Sequence, residues 1–219
     1  MIAELESLGS PENVAGMARY GINPTNAFGV SVPNLRALAK RIGVDHALAR
    51  ELWGSGVHEA RNLAALIDDP ALVTEGQMER WVRDFDSWDI CDGVTSNLFD
   101  RTPFAYRKAL EWSGRSEEYV KRAGFALMAA LAVHDKAASD AKLARFFPAI
   151  IRGATDDRNF VKKAVNWALR NIGKRNRALN ARAVEVAKRI QRIDSRPARW
   201  VASDALRELT SEKVRARLA

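Results

Sequence analysis

The sequence has very few of the residues that form disulfides and metal sites. It contains one cysteine, Cys91, among 219 residues. A single cysteine excludes an internal disulfide and fits a reducing compartment, so we expect a cytoplasmic protein in which Cys91 is a small buried apolar residue. The three histidines, His46, His58 and His134, lie far apart, and none has a second metal ligand at a suitable spacing. We therefore expect neither a metal nor a cofactor.

Long apolar stretches are lacking too. No run of about 18 apolar residues occurs, so we expect no segment that spans a membrane. The first residues, MIAELESLGSPENV, have no basic region followed by an apolar core, and we expect no signal peptide. Alternating β-branched runs are also nearly absent, which predicts an all-α protein.

Charge is distributed unevenly along the chain. The formal net charge is +8, but residues 1–114 carry 11 basic and 16 acidic residues, whereas residues 115–219 carry 24 and 11. The second part, at +13, would therefore attract a polyanion, and nucleic acid is the commonest partner of such an asymmetry. A solvated basic surface, or a site for acidic lipid or protein, is the alternative.

Nearly every segment has the apolar spacing of a helix. Residues 1–43 are predicted to contain N-terminal helices at 12–20 and 33–43, joined by a loop rich in Gly, Pro and Asn. Residues 45–208 are predicted to form about five helical pairs, and 211–218 a terminal helix, all within a single domain spanning 1–219. The pairs are 45–53 with 57–67, 75–84 with 87–99, 103–113 with 117–133, 139–152 with 158–172, and 177–191 with 196–208.

The second helices of these pairs recur at a regular interval. Their predicted starts, at 57, 87, 117, 158 and 196, are 30, 30, 41 and 38 residues apart. This is the period of HEAT-like or armadillo-like helical pairs. Such pairs stack into a curved solenoid with a concave inner surface. We therefore predict a curved all-α solenoid of HEAT-like pairs whose second helices line a concave, DNA-binding face.

One stretch, Ser-Trp-Asp-Ile-Cys-Asp-Gly-Val starting at Ser87, combines an indole and a carboxylate at helical spacing. Trp88 and Asp92 are four residues apart, so they share a face if a helix begins here. Asp86 or Ser87 can cap that helix. Asp89 lies in the first turn, where the helix dipole favours negative charge, and this is reason enough for its presence. The alternative is that Trp88 is a core residue and Asp92 a buried or capping carboxylate.

Three further residues of the second helices are candidates for function: Arg122, Trp167 and Trp200. Each has a structural alternative. Arg122 can form an ion pair, Trp167 can be a core indole among apolar neighbours, and Trp200 is expected to pack the last pair. The tryptophans of the first helices are expected to be packing residues, namely Trp53, Trp81 and Trp112.

A dense basic segment surrounds Trp167. Residues 160–184 contain no acidic residue, whereas an ordinary solvated face mixes both signs. One helical stripe beside Trp167 is formed by Lys163, Arg170, Lys174 and Arg177, and it predicts a phosphate track. The complete set of candidate DNA-binding residues is Lys162, Lys163, Arg170, Lys174, Arg175 and Arg177.

In order and spacing, these motifs resemble the AlkD-like DNA alkylation repair family of HEAT-like-repeat glycosylases. The resemblance covers most of the chain. It is carried by GVSVPNLRALAKRIG at 29–43, SWDICD at 87–92, KRAGFAL at 121–127 and FVKKAVNWALRNIGKRN at 160–176. It implies removal of N3- and N7-alkylated purines from double-stranded DNA in base excision repair. The catalytic positions that it implies are Trp88, Asp92, Arg122 and Trp167.

The chemistry suits these residue types. An N3- or N7-alkylpurine is a cation, so its glycosidic bond is already weakened, and breaking it builds positive charge on the sugar. Asp92 would stabilise that charge, Trp88 and Trp167 would offer π faces, and Arg122 would hold a phosphate. No lysine stands out as a Schiff-base nucleophile. We expect a monomeric, monofunctional glycosylase, and the resemblance further implies that it has no base-binding pocket.

Two other functions remain open. One is a catalytically silent HEAT-like binder of distorted or branched DNA. The other is a helical-repeat protein adaptor whose groove binds a peptide. Release of a free base separates the glycosylase from the silent binder, and a basic groove is not required of an adaptor.

Overall fold

The computed structural model describes residues 1–218, and within them the chain is helical, without strands. Short 3-10 helices also occur at Ala18–Tyr20 and Phe99–Arg101. The α-helices are α1 (Ile2–Ser7), α2 (Pro11–Met17), α3 (Val32–Ile42), α4 (His46–Gly54), α5 (His58–Ile67), α6 (Glu75–Arg83), α7 (Trp88–Asn97), α8 (Ala105–Trp112), α9 (Glu118–His134), α10 (Asp140–Ala144), α11 (Phe147–Gly153), α12 (Asn159–Gly173), α13 (Arg177–Gln191), α14 (Arg196–Leu209) and α15 (Glu212–Arg217).

The predicted second helices are confirmed. They are α5, α7, α9, α12 and α14, and each begins at the predicted residue or one residue later. Short oxygen-bearing side chains mark many helix starts, because they accept hydrogen bonds from backbone N–H groups that have no partner within the helix. Ser31 accepts from the N–H of Asn34 at the start of α3, and Asp45 accepts from that of Leu48 at the start of α4.

The helices differ most from prediction in two places, apart from shifts of a few residues at helix ends. Helix α1 was not expected, because its six residues are too short to give a clear apolar period. The predicted helix over 139–152 is two helices, α10 and α11, interrupted at Arg145 and Phe146. Pro148 lies in the first turn of α11, and a proline ring clashes with the carbonyl group four residues earlier. That carbonyl belongs to Ala144, where α10 ends.

Contacts between Cα atoms divide the chain into two compact units, the first from Met1 to Pro103 and the second from Phe104 onwards. In the first unit α5 packs against α3, α4 and α7. Its core contains Trp53 and Trp81, whose rings stack with centroids 4.0 Å apart. That residues 1–219 form a single domain remains a prediction.

The buried carboxylate of Glu59 attaches the predicted loop at 21–33 to α5. Its oxygens accept the backbone N–H groups of Phe28 at 2.9 Å, Gly29 at 2.7 Å and Val30 at 3.3 Å. Gly29 has φ +79°, and a Cβ there would lie 2.3 Å from the carbonyl oxygen of Ser10. Only glycine fits this position, which brings the loop close to the start of α2, while Glu59 attaches it to α5.

In the second unit α9 is the central helix. It packs against α8 and α12, and α12 packs in turn against α13 and α14. Phe125, Leu127 and Met128 of α9 are fully buried, as is Trp112 of α8. Gly124 permits the close approach of α8, because a Cβ there would lie 2.4 Å from the backbone nitrogen of Ser113.

Several sequence-based expectations about burial are confirmed. Cys91 is fully buried, and Trp53, Trp81 and Trp112 are core residues. Among the helices of residues 1–218, none is both long enough and apolar enough to cross a bilayer.

Candidate functional site

Helix α7, in the first unit, presents one stripe of partly accessible side chains. Its half-buried residues are Trp88, Asp89, Asp92, Gly93, Ser96 and Asn97, and we call this set the α7 stripe. The residues between them, such as Ile90, Cys91 and Val94, are buried. Spacings of one and four place the set on a single side of a helix. Trp88 and Asp92 therefore share a face, as their spacing predicts.

The indole of Trp88 is held by a distant part of the chain. Its Nε1 donates a hydrogen bond of 2.9 Å to the carbonyl oxygen of Tyr20, in the 3-10 helix that follows α2. Trp88 is half-buried, so part of its ring is accessible to solvent. The alternative of a fully buried core tryptophan does not describe this residue.

Asp89 has a partner that the sequence did not indicate. Its Oδ2 lies 2.7 Å from Nε2 of the buried His58 on α5, and its Oδ1 accepts a 2.7 Å hydrogen bond from the hydroxyl of Ser87. Ser87 occupies the N-cap position, but its side chain accepts no hydrogen bond from the backbone of α7. Asp89 lies in the first turn of α7, as predicted, and the contact with His58 gives it a second structural role.

The two ionisable groups of this pair shift each other's pKa. Burial alone would lower the pKa of His58, but the hydrogen bond and charge of Asp89, with smaller contributions from Glu59 and Asp86, raise it. Burial alone would raise the pKa of Asp89, but the hydrogen bonds and charge from His58 and Ser87 lower it. Both shifts favour the charged form of each partner, a protonated imidazole beside a carboxylate.

A polar amide approaches the α7 stripe beside Asp92. A Cβ on Gly93 would lie 2.9 Å from Oδ1 of Asn62, so glycine leaves room for this side chain. The amide nitrogen of Asn62 donates a 3.3 Å hydrogen bond to the carbonyl of His58. The α7 stripe is therefore polar at Gly93, the residue that follows Asp92.

The other two predicted catalytic residues belong to the second unit. Arg122 of α9 is buried, and its Nη1 donates a 2.5 Å hydrogen bond to the carbonyl oxygen of Phe160 at the start of α12. This contact joins the two helices. A phosphate contact by Arg122 remains a prediction.

Trp167 of α12 is half-buried, unlike the core tryptophans. Its neighbours Asn166 and Ala168 are buried, and Asn166 donates a 3.1 Å hydrogen bond to the carbonyl oxygen of Val201. The buried side of α12 is thus occupied by other residues, and Trp167 lies at its margin. The interpretation of Trp167 as a core indole is therefore not supported.

The predicted stripe does not follow one helix, because α12 ends at Gly173 and Arg177 begins α13. Two of its members are bridged by one carboxylate. Arg170 and Lys174 both form ion pairs with Glu208 of α14, and the distance from Nζ of Lys174 to the carboxylate is 2.7 Å. Nε of Arg170 also lies 3.8 Å from a carboxylate oxygen of Asp204. Burial would raise the pKa of Glu208, but the hydrogen bonds of Lys174 and Arg170 lower it. The charge of this part of the track is therefore partly neutralised within the protein.

Arg175 and Arg177 make contacts to backbone carbonyl groups. Arg175 donates to the carbonyl oxygens of Ala132, Asp135 and Lys136, where α9 ends. Arg177 donates from Nε to the carbonyl oxygen of Leu218 at 2.8 Å. The guanidinium group of Arg175 thus satisfies carbonyl groups at a helix end, and DNA binding by Arg175 remains a prediction.

Lys162 and Lys163 remain at the accessible side of α12. Lys163 is exposed, and the ammonium group of Lys162 lies over the ring of Trp200, 5.0 Å from the centroid. Trp200 is 41% exposed, so the expectation that it packs the last helical pair is wrong. Its neighbours Ala198, Val201 and Ala202 supply that packing instead.

No group of three histidine, cysteine, aspartate or glutamate side chains suitable for a metal ion is found within residues 1–218.

In comparison with known proteins, the model of the DNA alkylation repair enzyme family matches residues 1–209. Among solved structures, the chain is similar to one described as belonging to "a new family of proteins related to the HEAT-like repeat DNA glycosylases with affinity for branched DNA structures". That similarity has a TM-score of 0.82 and 24% identity, over 99% of this chain and 94% of the other. It shows that the fold is of the HEAT-like repeat type.

Two more distant similarities are to artificial proteins. A designed armadillo repeat protein has a TM-score of 0.39 and 14% identity, over 94% of this chain and 91% of that one. An engineered protein has a TM-score of 0.39 and 15% identity, over 80% of this chain and 90% of that one. No curated protein sequence matches the chain.

Proposed function

Because the chain belongs to the family of DNA alkylation repair enzymes, we propose that it is a DNA glycosylase for N3- and N7-alkylated purines. Its substrate is double-stranded DNA that carries such a base. Its products are the free alkylated purine and an abasic site in an uncut strand.

The observation that carries this proposal is the composition of the α7 stripe. It combines a partly accessible indole, Trp88, with the carboxylate of Asp92 one turn further along. The second carboxylate of the stripe, Asp89, is engaged by His58. We assign Asp92 to the reaction because it shares a face with Trp88 and stands at the carboxylate position of the family motif SWDICD.

The reaction breaks the bond between C1′ of the deoxyribose and the purine nitrogen. The electron pair of this bond neutralises the cationic base, so no strong general acid is required for its departure. The sugar is left as an oxocarbenium-like cation, which water attacks at C1′ with release of a proton. A carboxylate placed beside this developing charge stabilises the transition state more than the ground state, and only such interactions accelerate the chemical step.

The remaining assigned residues support this step in our proposal. The indoles of Trp88 and Trp167 offer negatively polarised ring faces to a cationic nucleotide, each contributing about 0.5–2 kcal/mol. Arg122 would contact a phosphate group in addition to the Phe160 carbonyl that it binds. The absence of a base-binding pocket is implied by the family resemblance alone.

The experiment that tests the proposal is release of free base from alkylated duplex DNA. DNA methylated at purines is incubated with the full chain, and the soluble bases are separated by chromatography. We expect 7-methylguanine and 3-methyladenine, with strand breaks only after alkali opens the abasic sites. Strand cleavage without alkali would contradict a monofunctional mechanism, and the absence of any free base would contradict glycosylase activity.

The alternative function is a silent DNA binder. The similar solved structure is described as related to glycosylases and as having affinity for branched DNA. Tight binding of distorted or branched DNA without base release would favour this alternative. A helical-repeat protein adaptor is less well supported, because the family match is to DNA repair enzymes and residues 115–219 carry a net charge of +13.

Glu208 gives a test of the DNA-binding surface. Its carboxylate pairs with both Arg170 and Lys174, and Asp204 lies near Arg170 as well. Removing the charge of Glu208 therefore leaves more positive charge available to DNA. We expect Glu208→Gln to strengthen duplex binding and to steepen the plot of log K against log salt by up to about 0.9, the contribution of one further neutralised phosphate. Fluorescence anisotropy over a salt series measures both quantities.

The matched control removes an acidic group from an exposed pair elsewhere in the same unit. Glu185 on α13 is 70% exposed and pairs with Lys188. Glu185→Gln should leave the salt slope unchanged. If Glu208→Gln and Glu185→Gln behave alike, Arg170 and Lys174 do not contact DNA.

A further inference from the structure

The most exposed tryptophan ring lies outside the predicted catalytic set. Among the large hydrophobic residues that reach the surface of the second unit, Trp200 of α14 is 41% exposed. It borders an open cavity of about 370 Å³ that is also lined by Asp157, Lys162, Arg196 and Pro197. An accessible indole at the wall of a polar cavity is unusual as packing, because a ring of this size normally gains its stability from burial.

Basic side chains surround this ring. Lys162 lies over it at 5.0 Å, and the exposed Arg196 lines the same cavity. Asp157 is the acidic residue among the lining side chains, so this surface carries a net positive charge. An aromatic face with two cations beside it matches a nucleotide, which presents a flat base and an anionic phosphate.

We propose that Trp200 is a stacking platform for an unpaired nucleotide of a DNA strand. The base stacks on the indole, and Lys162 and Arg196 bind the adjacent phosphates. Stacking displaces the Lys162 ammonium from the ring face, and a phosphate then replaces the ring as its partner. The exchange is favourable because a cation–π contact at an exposed site is weak, whereas a phosphate pair is charge-assisted.

A base pair inside a continuous duplex cannot occupy this platform, because the neighbouring pairs cover both of its faces. The site therefore selects DNA with unpaired nucleotides, such as an overhang, a flap or a bulge, over continuous duplex. It selects no base sequence, because every base has a π face. The inference rests on the proposed binding of DNA, but not on base excision.

Affinity for two matched DNA ligands tests the platform. One is a blunt duplex, and the other is the same duplex with a short thymidine overhang, each measured by fluorescence anisotropy with the full chain. We expect Trp200→Ala to weaken overhang binding about tenfold and to leave blunt-duplex affinity within about twofold. Trp200→Phe keeps a ring and should retain most of the overhang preference. Thermal melting of Trp200→Ala should match that of the unaltered chain, because the ring is exposed.

Three outcomes would overturn the proposal. The first is an equal loss of affinity for both ligands on Trp200→Ala. The second is no loss for either ligand. The third is that an acidic peptide competes for overhang binding as effectively as oligothymidylate of equal charge does. That result would show a site for any polyanion. Excision is assayed on the same proteins, so that the two proposals are tested separately. Absence of excision with a retained overhang preference would contradict only the proposed glycosylase activity. Absence of the overhang preference with retained excision would contradict only the proposed stacking site.

Discussion

Replacing Asp92 with asparagine is expected to slow alkylpurine excision by about a hundredfold or more, with duplex DNA affinity held or slightly raised. Asparagine has nearly the shape of aspartate and can still accept a hydrogen bond. The substitution therefore isolates the charge, whose interaction with the forming sugar cation is lost. A negative charge close to the DNA backbone is also removed, so binding should not weaken. Single-turnover release of 7-methylguanine and anisotropy with the same duplex measure the two effects.

The control for this substitution cannot be Asp89, although it is the nearest carboxylate. Asp89 lies on the same α7 stripe and binds His58, so its replacement perturbs the site through structure. Glu51 on α4 is an exposed acidic residue of the same unit, and Glu51→Gln removes the same unit of charge. If Asp92→Asn keeps the rate of the unaltered chain, or if Glu51→Gln slows excision equally, Asp92 does not stabilise the transition state.

The periodic features of the fold could be predicted from the sequence. Each second helix begins within one residue of its predicted start, because polar breaks precede a long apolar period. Helix α1 has six residues, which is too few to show the periodic spacing of apolar residues that identifies a helix. The break between α10 and α11 occurs at Pro148, which stands in the first turn of α11, where proline is favoured.

For the candidate site, the sequence predicts which residues share a helix face, but not which residues of different helices are in contact. That Trp88 and Asp92 share a face follows from an interval of four, which any helix imposes. The partner of Asp89 is His58, 31 residues earlier, and no local pattern links a histidine at the start of one helix to an aspartate in another. The same limit applies to Glu208, which binds Arg170 and Lys174 from 38 and 34 residues away.

Burial of individual tryptophans was predicted with mixed success for a related reason. Trp53, Trp81 and Trp112 are buried as expected. Trp200 is not, although small residues and valine surround it in the sequence. On a helix with one buried face, a difference of one position moves a side chain by about 100°, so neighbours at positions 198, 201 and 202 fill the core while residue 200 lies outside it.

Replacing Asp89 with asparagine should destabilise the fold by roughly 2–4 kcal/mol, somewhat below the 3–5 kcal/mol typical of a broken buried pair. The reduction reflects the side-chain exposure of Asp89, which is 23%, whereas that of His58 is 8%. The substitution leaves the buried imidazole of His58 without its carboxylate partner. Chemical denaturation near pH 6 measures this loss. Asp86→Asn is the matched control, because Asp86 is exposed, contributes only a weak charge interaction to His58 and hydrogen-bonds to Asn23 instead.

The pH dependence distinguishes this pair from an ordinary polar contact. The pKa of His58 is raised above 6.5 in the folded state, so its stabilising contribution is complete below pH 6.5 and is lost as the pH rises through the raised value. The pKa of Asp89 is lowered below 3.8, so its contribution is present above pH 3.8 and is lost as the pH falls through the lowered value. The unaltered chain should therefore lose stability from this pair on either side of that window. In Asp89→Asn burial lowers the pKa of His58 with less opposition, so the decline above pH 6.5 should flatten or reverse. An unchanged slope in the variant would mean that the ionised pair does not stabilise the fold.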